Sequence, residues 1–315
     1  MRDSALLALA ARAEDVTADA YRAAVDAGDL VVAHIVRGAI HALAPADFAL
    51  YGRALIADDD AELGPQLGRQ VKGLGVAPTA ALREVTGATR EALTGGPLDK
   101  NALHAALRER VSGDLMPWCK GCGSHHVAPM LWRYATVAAG VRLDSGRRYT
   151  LDPPADEPPA SEAVRRFLRF YGPATPAGFK DFAGLAKPHA QRLWDEVAGE
   201  LAEVDGGWLL GEDVDALESP PAARGVRLLP PGDPYLQPPN RPLLAPDAEL
   251  RKRLFRPVAS PGAVLADGRL AGIWRARAKG KKLEIAVEPL DGLPPLDEEA
   301  QRVARLRGAS EAVLV

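Results

Sequence analysis

Cysteine is nearly absent. The 315 residues hold two, Cys119 and Cys122, which excludes a disulfide-stapled fold and fits a reducing cytoplasm. Long apolar runs are missing too. None approaches the roughly 18 residues that span a bilayer, so an integral membrane protein is excluded. The first ten residues, Met-Arg-Asp-Ser-Ala-Leu-Leu-Ala-Leu-Ala, run into Arg12, Glu14 and Asp15 without a convincing cleavage site, and no signal peptide is expected. There is no excess of positive charge. A net charge of −3 excludes a uniformly basic nucleic-acid binder, yet permits a basic face. No G-x-x-x-x-G-K-[ST] and no G-x-S-x-G occurs, which removes the phosphate-cradling loop of P-loop nucleotidases and the usual nucleophile turn of α/β-hydrolases. No period of 20–50 residues recurs, so an evident solenoid is excluded.

What remains is an ordinary soluble globular composition, 47% hydrophobic and 26% charged, long enough for two or three modules. Aromatic residues are scarce at 5%, while 30 glycines and 27 prolines mark joints. The clearest joint is Leu151-Asp-Pro-Pro-Ala-Asp-Glu-Pro-Pro-Ala160, whose four prolines cannot continue a helix or a central strand. Others lie at Ser219-Pro-Pro and at 229–240.

The reading between these joints is an α+β chain of tandem winged-helix (helix-turn-helix) domains followed by a small C-terminal β-barrel-like domain. Residues 161–211 predict a helix from Ser161 to Tyr171 and a Gly/Pro turn. A second helix is expected from about Lys187 to Val204, with Leu193, Trp194, Val197 and Leu201 at helical spacing. Trp208-Leu-Leu then begins a strand. Residues 99–151 repeat the plan: a helix capped by Asp99 and running through Val111, a helix from about Ala128 to Ala139, and two short strands around Ser-Gly. Leu30 to His34 and Gly38 to Leu43 read as strands. The boundaries expected are 1–98, 99–155, 156–220 and 221–315. In the last segment Val264 to Trp274 reads as strand, Asp-Gly turn, strand. Lys282 to Glu288 alternates as a strand, and a helix runs from about Asp297 to Leu306.

Two local patterns carry chemistry. From Arg251 to Lys282 there are ten Lys or Arg and one acid, Asp267. The run is either a solvated face or, because it falls on a predicted sheet and its turns, a surface for a polyanion that gains from counterion release. The other pattern is Cys119-Lys-Gly-Cys-Gly-Ser-His-His126. Cys119 and Cys122 form a C-x2-C knuckle that suits tetrahedral zinc, with His125 and His126 as the nearest further ligands. The alternative is a loop that packs small thiols and uses one histidine for hydrogen bonding. A thioredoxin-type redox pair lacks the surrounding βαβ unit, and a zinc deaminase would want an upstream His-x-Glu. Arg12-Ala-Glu-Asp15 reads by itself as a charged helix terminus. His41, at the far end of Arg37-Gly-Ala-Ile-His, reads by itself as a satisfied core histidine.

Four ordered blocks resemble a known family. Val36-Arg-Gly-Ala-Ile-His-Ala-Leu-Ala-Pro-Ala-Asp-Phe48 comes first, then Phe170-Tyr-Gly-Pro-Ala-Thr-Pro-Ala-Gly-Phe179. Leu228-Leu-Pro-Pro-Gly-Asp-Pro-Tyr-Leu236 and Val264-Leu-Ala-Asp-Gly-Arg-Leu-Ala-Gly-Ile-Trp-Arg275 follow. The set is similar to the YcaQ-related, AlkZ-like winged-helix DNA glycosylases. The resemblance implies winged helices and a β-barrel cradling duplex DNA, and excision of alkylated or crosslinked purines by hydrolysis of the N-glycosidic bond. In the family this falls to a Gln-x-Gln or Gln-x-Asp motif before the first block. Here no Gln precedes Gln66. Anchoring on the acid that follows the motif sets Arg12-Ala-Glu14 at that place, with Asp15 after it. Glu14 is then the water-activating residue, supported by Asp15 with His41 nearby. Arg12, Arg37, Lys187, Arg192, Arg251, Lys252, Arg253, Arg275, Arg277, Lys281 and Lys282 are the expected DNA contacts. Arg12 cannot reproduce the first Gln, because guanidinium donates and never accepts.

The expectation is a monomeric, cytoplasmic protein, nucleoid-associated through duplex DNA, with no required cofactor and a possible structural zinc at the knuckle. Loss of the Gln-x-Gln motif keeps open a non-catalytic DNA-binding regulator or damage sensor. A protein–protein scaffold built on winged helices is a third reading.

Overall fold

The computed structural model describes residues 4–152, 157–256, 258–290 and 292–315, with Gln70 by its backbone alone. Pro153, Pro154, Ala155 and Asp156, where the 155/156 boundary was expected, lie outside the described residues. The chain forms two compact units, residues 23–214 and residues 1–22 together with 215–315. No helix among the described residues is long and apolar enough to cross a membrane.

In the 23–214 unit, β1 (Val31–His34) and β2 (Ile40–Leu43) pair antiparallel around a turn at Val36–Gly38. A helix at Pro78–Leu93 is followed by one at Lys100–Arg108, whose N-terminal Asn101 and Ala102 N–H groups donate to the Asp99 carboxylate. Next comes a small hairpin of β3 (Trp118–Cys119) and β4 (Ser124–His125). The Pro129–Ala139 helix stops at Gly140, which takes the left-handed φ of 75°. The antiparallel pair β5 (Val141–Leu143) and β6 (Tyr149–Leu151) closes the segment. Because β1 also pairs with β5, one sheet runs β2-β1-β5-β6. Leu82, Val85, Leu103, Leu107, Leu131 and Ala135 are buried together in the core beneath it.

The second half of this unit has the same order. A helix at Glu162–Tyr171 precedes helices at Pro176–Ala183 and Lys187–Asp195, then the hairpin of β7 (Leu201–Val204) and β8 (Gly207–Leu210). In each half a single residue after the first helix bridges to the last strand of the hairpin: Leu98 to Tyr149, and Ala174 to Trp208. The expected helix to Val204 is wrong past Asp195. Its apolar spacing fits a helix, but Gly199 disfavours one. Asp205 and Gly206, both at positive φ (51° and 75°), form the tight turn that draws Leu201–Val204 into a strand against Gly207–Leu210. The expected strand from Gly38 likewise begins at Ile40.

In the other unit, β9 (Val226–Leu229), β10 (Gly262–Ala266), β11 (Arg269–Lys279) and β12 (Lys282–Pro289) pair antiparallel, and β13 (Glu311–Leu314) adds in parallel to β12. Among the described residues the sheet is open. The Asp267-Gly268 turn sits where the sequence predicts it, with φ of 47° and 78°. Gly262 leaves room for the Trp274 indole, which donates to the Leu229 carbonyl at 2.8 Å; a Cβ there would sit 2.2 Å from Nε1. Leu6, Leu7 and Ala10 of the Ser4–Ala10 helix share this core with Leu228, Trp274 and Val303 of the Asp297–Leu306 helix. This grouping differs from the four-segment division expected from sequence, because the first turns of the chain bury their apolar face on its last module.

His34 gives the 23–214 unit an acid-sensitive point. Its Nδ1–H donates to the Gly38 carbonyl at 3.0 Å, its ring lies against Trp132 and Tyr149, and its buried Nε2 has no hydrogen-bond partner. Burial, opposed by the Gly38 bond, pushes the imidazole from 6.5 down to about 4. The unfolded chain therefore takes up the proton first. Stability is full above pH 6.5 and erodes as pH falls to about 4, by up to about 3 kcal/mol. We expect His34→Phe, which keeps an aromatic ring there, to lose less stability than the wild type across that window in urea unfolding. Parallel pH profiles would contradict the assignment.

Candidate active site

The Ser4–Ala10 helix is short, and its last carbonyls need donors. Three arginines supply them: Arg12 Nη1 donates to Ala8 O at 2.7 Å, Arg302 Nη1 to Ala10 O at 2.7 Å, and Arg227 Nε to Ala11 O at 3.0 Å. Positive charge at a helix C-terminus also complements its dipole. Arg12 further grips Asp233 through two parallel bonds of 2.9 and 2.7 Å. Asp233 is buried, and its Oδ1 also accepts the Tyr235 N–H at 2.8 Å, capping the turn at Pro234–Leu236. Beyond, Asp15 turns the backbone at φ 56°, and the Thr17 hydroxyl accepts the Ala20 N–H at 3.1 Å to start the Ala18–Ala27 helix.

The loop at 11–17 is thus fastened at both ends and displays the exposed side chains of Glu14 and Asp15. Both line a cavity of about 830 Å³ together with Arg12, Arg227, Arg302 and Arg305. Arg302 is held by Glu299 in a pair of bonds of 2.6 and 2.5 Å, and Glu299 accepts the Leu228 N–H. Carboxylates beside guanidinium groups can orient a water and hold an anion in one cavity.

His41 belongs to the 23–214 unit, on β2, with Nδ1 at 3.1 Å from the Ala39 carbonyl; burial pushes its imidazole down, and Arg37 adds to the shift. Arg37 sits at φ 57° in the Val36–Gly38 turn. Its guanidinium donates to Asp181 O at 3.3 Å and lies 5.8 Å from the Phe182 ring centroid, and a Cβ on Gly184 would come within 2.7 Å of its Cγ. The Arg-Gly pair therefore fastens the β1–β2 turn to the end of the Pro176–Ala183 helix.

A scan against family models matches residues 2–306 to the model described as DNA glycosylase AlkZ-like. The chain belongs to the AlkZ-like family. No curated protein matches. Among solved structures, DNA glycosylase AlkZ of Streptomyces sahachiroi is similar in fold, with a TM-score of 0.72 at 23% identity over 99% of this chain and 89% of that one.

Lys187 is exposed at the start of the Lys187–Asp195 helix, whereas Arg192 makes a two-bond pair with the buried Glu62, at 2.5 and 2.6 Å. Arg251 donates to the Ala245 and Pro246 carbonyls, and Arg275 to Ala259 O. Four bases of the 251–282 run are ion-paired: Lys252 with Glu249, Arg253 with Glu288, Lys279 with Glu284, and Lys282 with Glu311. The excess of positive charge counted along the sequence is therefore smaller on the sheet, because β12 and β13 bring their glutamates beside it. Arg277 and Lys281 are exposed.

Of the proposed zinc ligands, Cys119, Cys122 and His126 have ligand atoms within 4.8 Å of one another. A hydrogen bond from His126, with further bonds from Cys122, lowers the Cys119 thiol to about 7. His125 does not join them. Its Nδ1 lies 2.9 Å from the Met116 carbonyl, and its ring meets the exposed Trp118 edge-on. Sequence reasoning missed Asp233, although Asp-Pro-Tyr is a recognisable capping pattern. It also passed over His104, whose ring centroid the fold brings 5.7 Å from that of His126.

Proposed function

We propose that this chain is a duplex-DNA-binding glycosylase that hydrolyses the N-glycosidic bond of alkylated purines. The observation that carries the reading is the doubly fastened 11–17 loop, whose Glu14 and Asp15 line an arginine-flanked cavity; the resemblance aligns Arg12-Ala-Glu14 with the family's Gln-x-Gln motif, Asp15 following it. An N3- or N7-alkylated purine is cationic and leaves easily. The protein needs only to steady an oxocarbenium-like sugar and deliver water. Glu14 orients the attacking water and accepts its proton, while the Asp15 charge opposes the developing cation. The water oxygen bonds to the sugar C1′, the glycosidic bond breaks, and its electron pair goes to the base. The reaction uses no cofactor.

In this reading the two helix–helix–helix–hairpin halves of the 23–214 unit act as tandem winged helices, and the open C-terminal sheet as the barrel-like module. The Pro129–Ala139 and Lys187–Asp195 helices, each preceding a hairpin, take the place of recognition helices. The protein acts as a cytoplasmic, nucleoid-associated monomer. Arg277 and Lys281 are the phosphate contacts we favour in the basic run. The double variant Arg277→Ala/Lys281→Ala should reduce the slope of log K against log salt by about 2, since each phosphate contact contributes about 0.9. Removing the ion-paired Arg253 and Lys279 should change it less. Equal effects of the two double variants would contradict this placement.

A non-catalytic DNA-binding protein is the second reading, favoured by one observation. The guanidinium of Arg12, the residue that the resemblance aligns with the first Gln, is engaged by Asp233. Release of a methylated purine from duplex DNA, tested with Glu14 variants, separates the two. Salt-sensitive binding without release supports the second, and no duplex binding at all overturns both.

A further inference from the structure

We propose that Cys119, Cys122, His126 and His104 bind one zinc ion, forming a structural centre that ties the β3–β4 hairpin to the Lys100–Arg108 helix. The proposal is independent of the glycosylase reading. His104 comes from a helix well before the knuckle, and the fold brings it in: its ring centroid lies 5.7 Å from that of His126. All four side chains line one cavity of about 510 Å³. The His104 Nδ1 is buried and makes no hydrogen bond, and its ring packs on Trp132 with centroids 4.5 Å apart, at the edge of the Cys119, Cys122 and His126 group. His126 is already set as a ligand. Its Nδ1 lies 2.8 Å from the Val127 carbonyl, the kind of backbone partner that orients a metal-bound histidine when the other ring nitrogen is the ligand.

Two thiolates and two imidazoles complete a tetrahedron and neutralise the dication. Lys100, Arg108 and Arg133 line the same cavity. With four protein ligands no position remains open for substrate, so the centre is structural. Its role is visible in the hairpin. β3 and β4 have two residues each, too few to hold a hairpin by themselves, yet they present Trp118 at 57% exposure. A metal clamp would keep that ring in place.

Metal analysis of the reduced, full-length protein after gel filtration tests this. About one zinc per chain is expected for a four-ligand centre, and cobalt substitution should give thiolate charge-transfer bands with the intense d–d absorption of a tetrahedral site. The cobalt spectrum is read on the wild type, so it stands even where the Cys119→Ser/Cys122→Ser variant does not fold. His104→Ala should lose most of the metal, and His125→Ala should keep it. A wild type that takes up no zinc or cobalt after reconstitution, or that holds a Cys119–Cys122 disulfide in reducing buffer, overturns the centre. Retention of zinc by His104→Ala overturns its ligand set.

Discussion

Glu14→Ala is expected to slow release of an alkylated purine from duplex DNA by about 10²–10⁴-fold, the contribution of a positioned general base. Duplex affinity should stay within a few-fold, because the phosphate contacts we propose, Arg277 and Lys281, lie elsewhere. Glu14→Gln should fall between the two. Its amide still accepts a hydrogen bond from the water but takes no proton, and the family's motif shows that an amide there suits a base that departs readily. The measurement is single-turnover release with protein in excess, beside a binding isotherm. Unchanged release by Glu14→Ala would remove Glu14 from the chemistry.

The second large effect concerns Arg12. Its Asp233 partner has no exposed side-chain surface, whereas Arg12 is 44% exposed. The two single variants should therefore be unequal. Arg12→Ala strands a buried carboxylate with the Tyr235 N–H alone, and loss of one partner of a buried pair costs about 3–5 kcal/mol; partial exposure of Arg12 sets the expectation near the lower end. Asp233→Asn keeps an acceptor for the Tyr235 N–H and leaves the half-exposed Arg12 guanidinium on the Ala8 carbonyl, for a loss of about 1–2 kcal/mol. The double variant should be more stable than Arg12→Ala. Urea unfolding of the four proteins forms the cycle. A smaller loss for Arg12→Ala than for Asp233→Asn would contradict the asymmetry.

Local structure was largely legible in the sequence, and long-range pairing was not. The Pro129–Ala139 helix and the hairpin after it follow from apolar spacing, a proline start and a glycine stop. Leu201–Val204 was misread because helical spacing and strand pairing compete over four residues, and the Asp205-Gly206 turn decides. No pattern in the first twenty residues shows that they join the last hundred. That follows from Leu6 and Leu7 meeting Trp274 and Val303, a contact no local window contains. The same holds for the candidate sites. Glu14 and Asp15 were located by resemblance to a motif, but the Arg12–Asp233 pair bridges 221 positions. Proximity along the chain suggested His125 as a zinc ligand, while the fold turns it to Met116 and offers His104. The basic run is neutralised in space rather than along the chain, because the glutamates that pair with it come from later strands and from just before it.

The most direct test of the central claim is to incubate a duplex carrying N7-methylguanine with excess wild-type protein and follow free base and abasic sites together. The account predicts both products in equal amounts, well above spontaneous depurination. Tight, salt-sensitive binding of that duplex with release no faster than in buffer would contradict it.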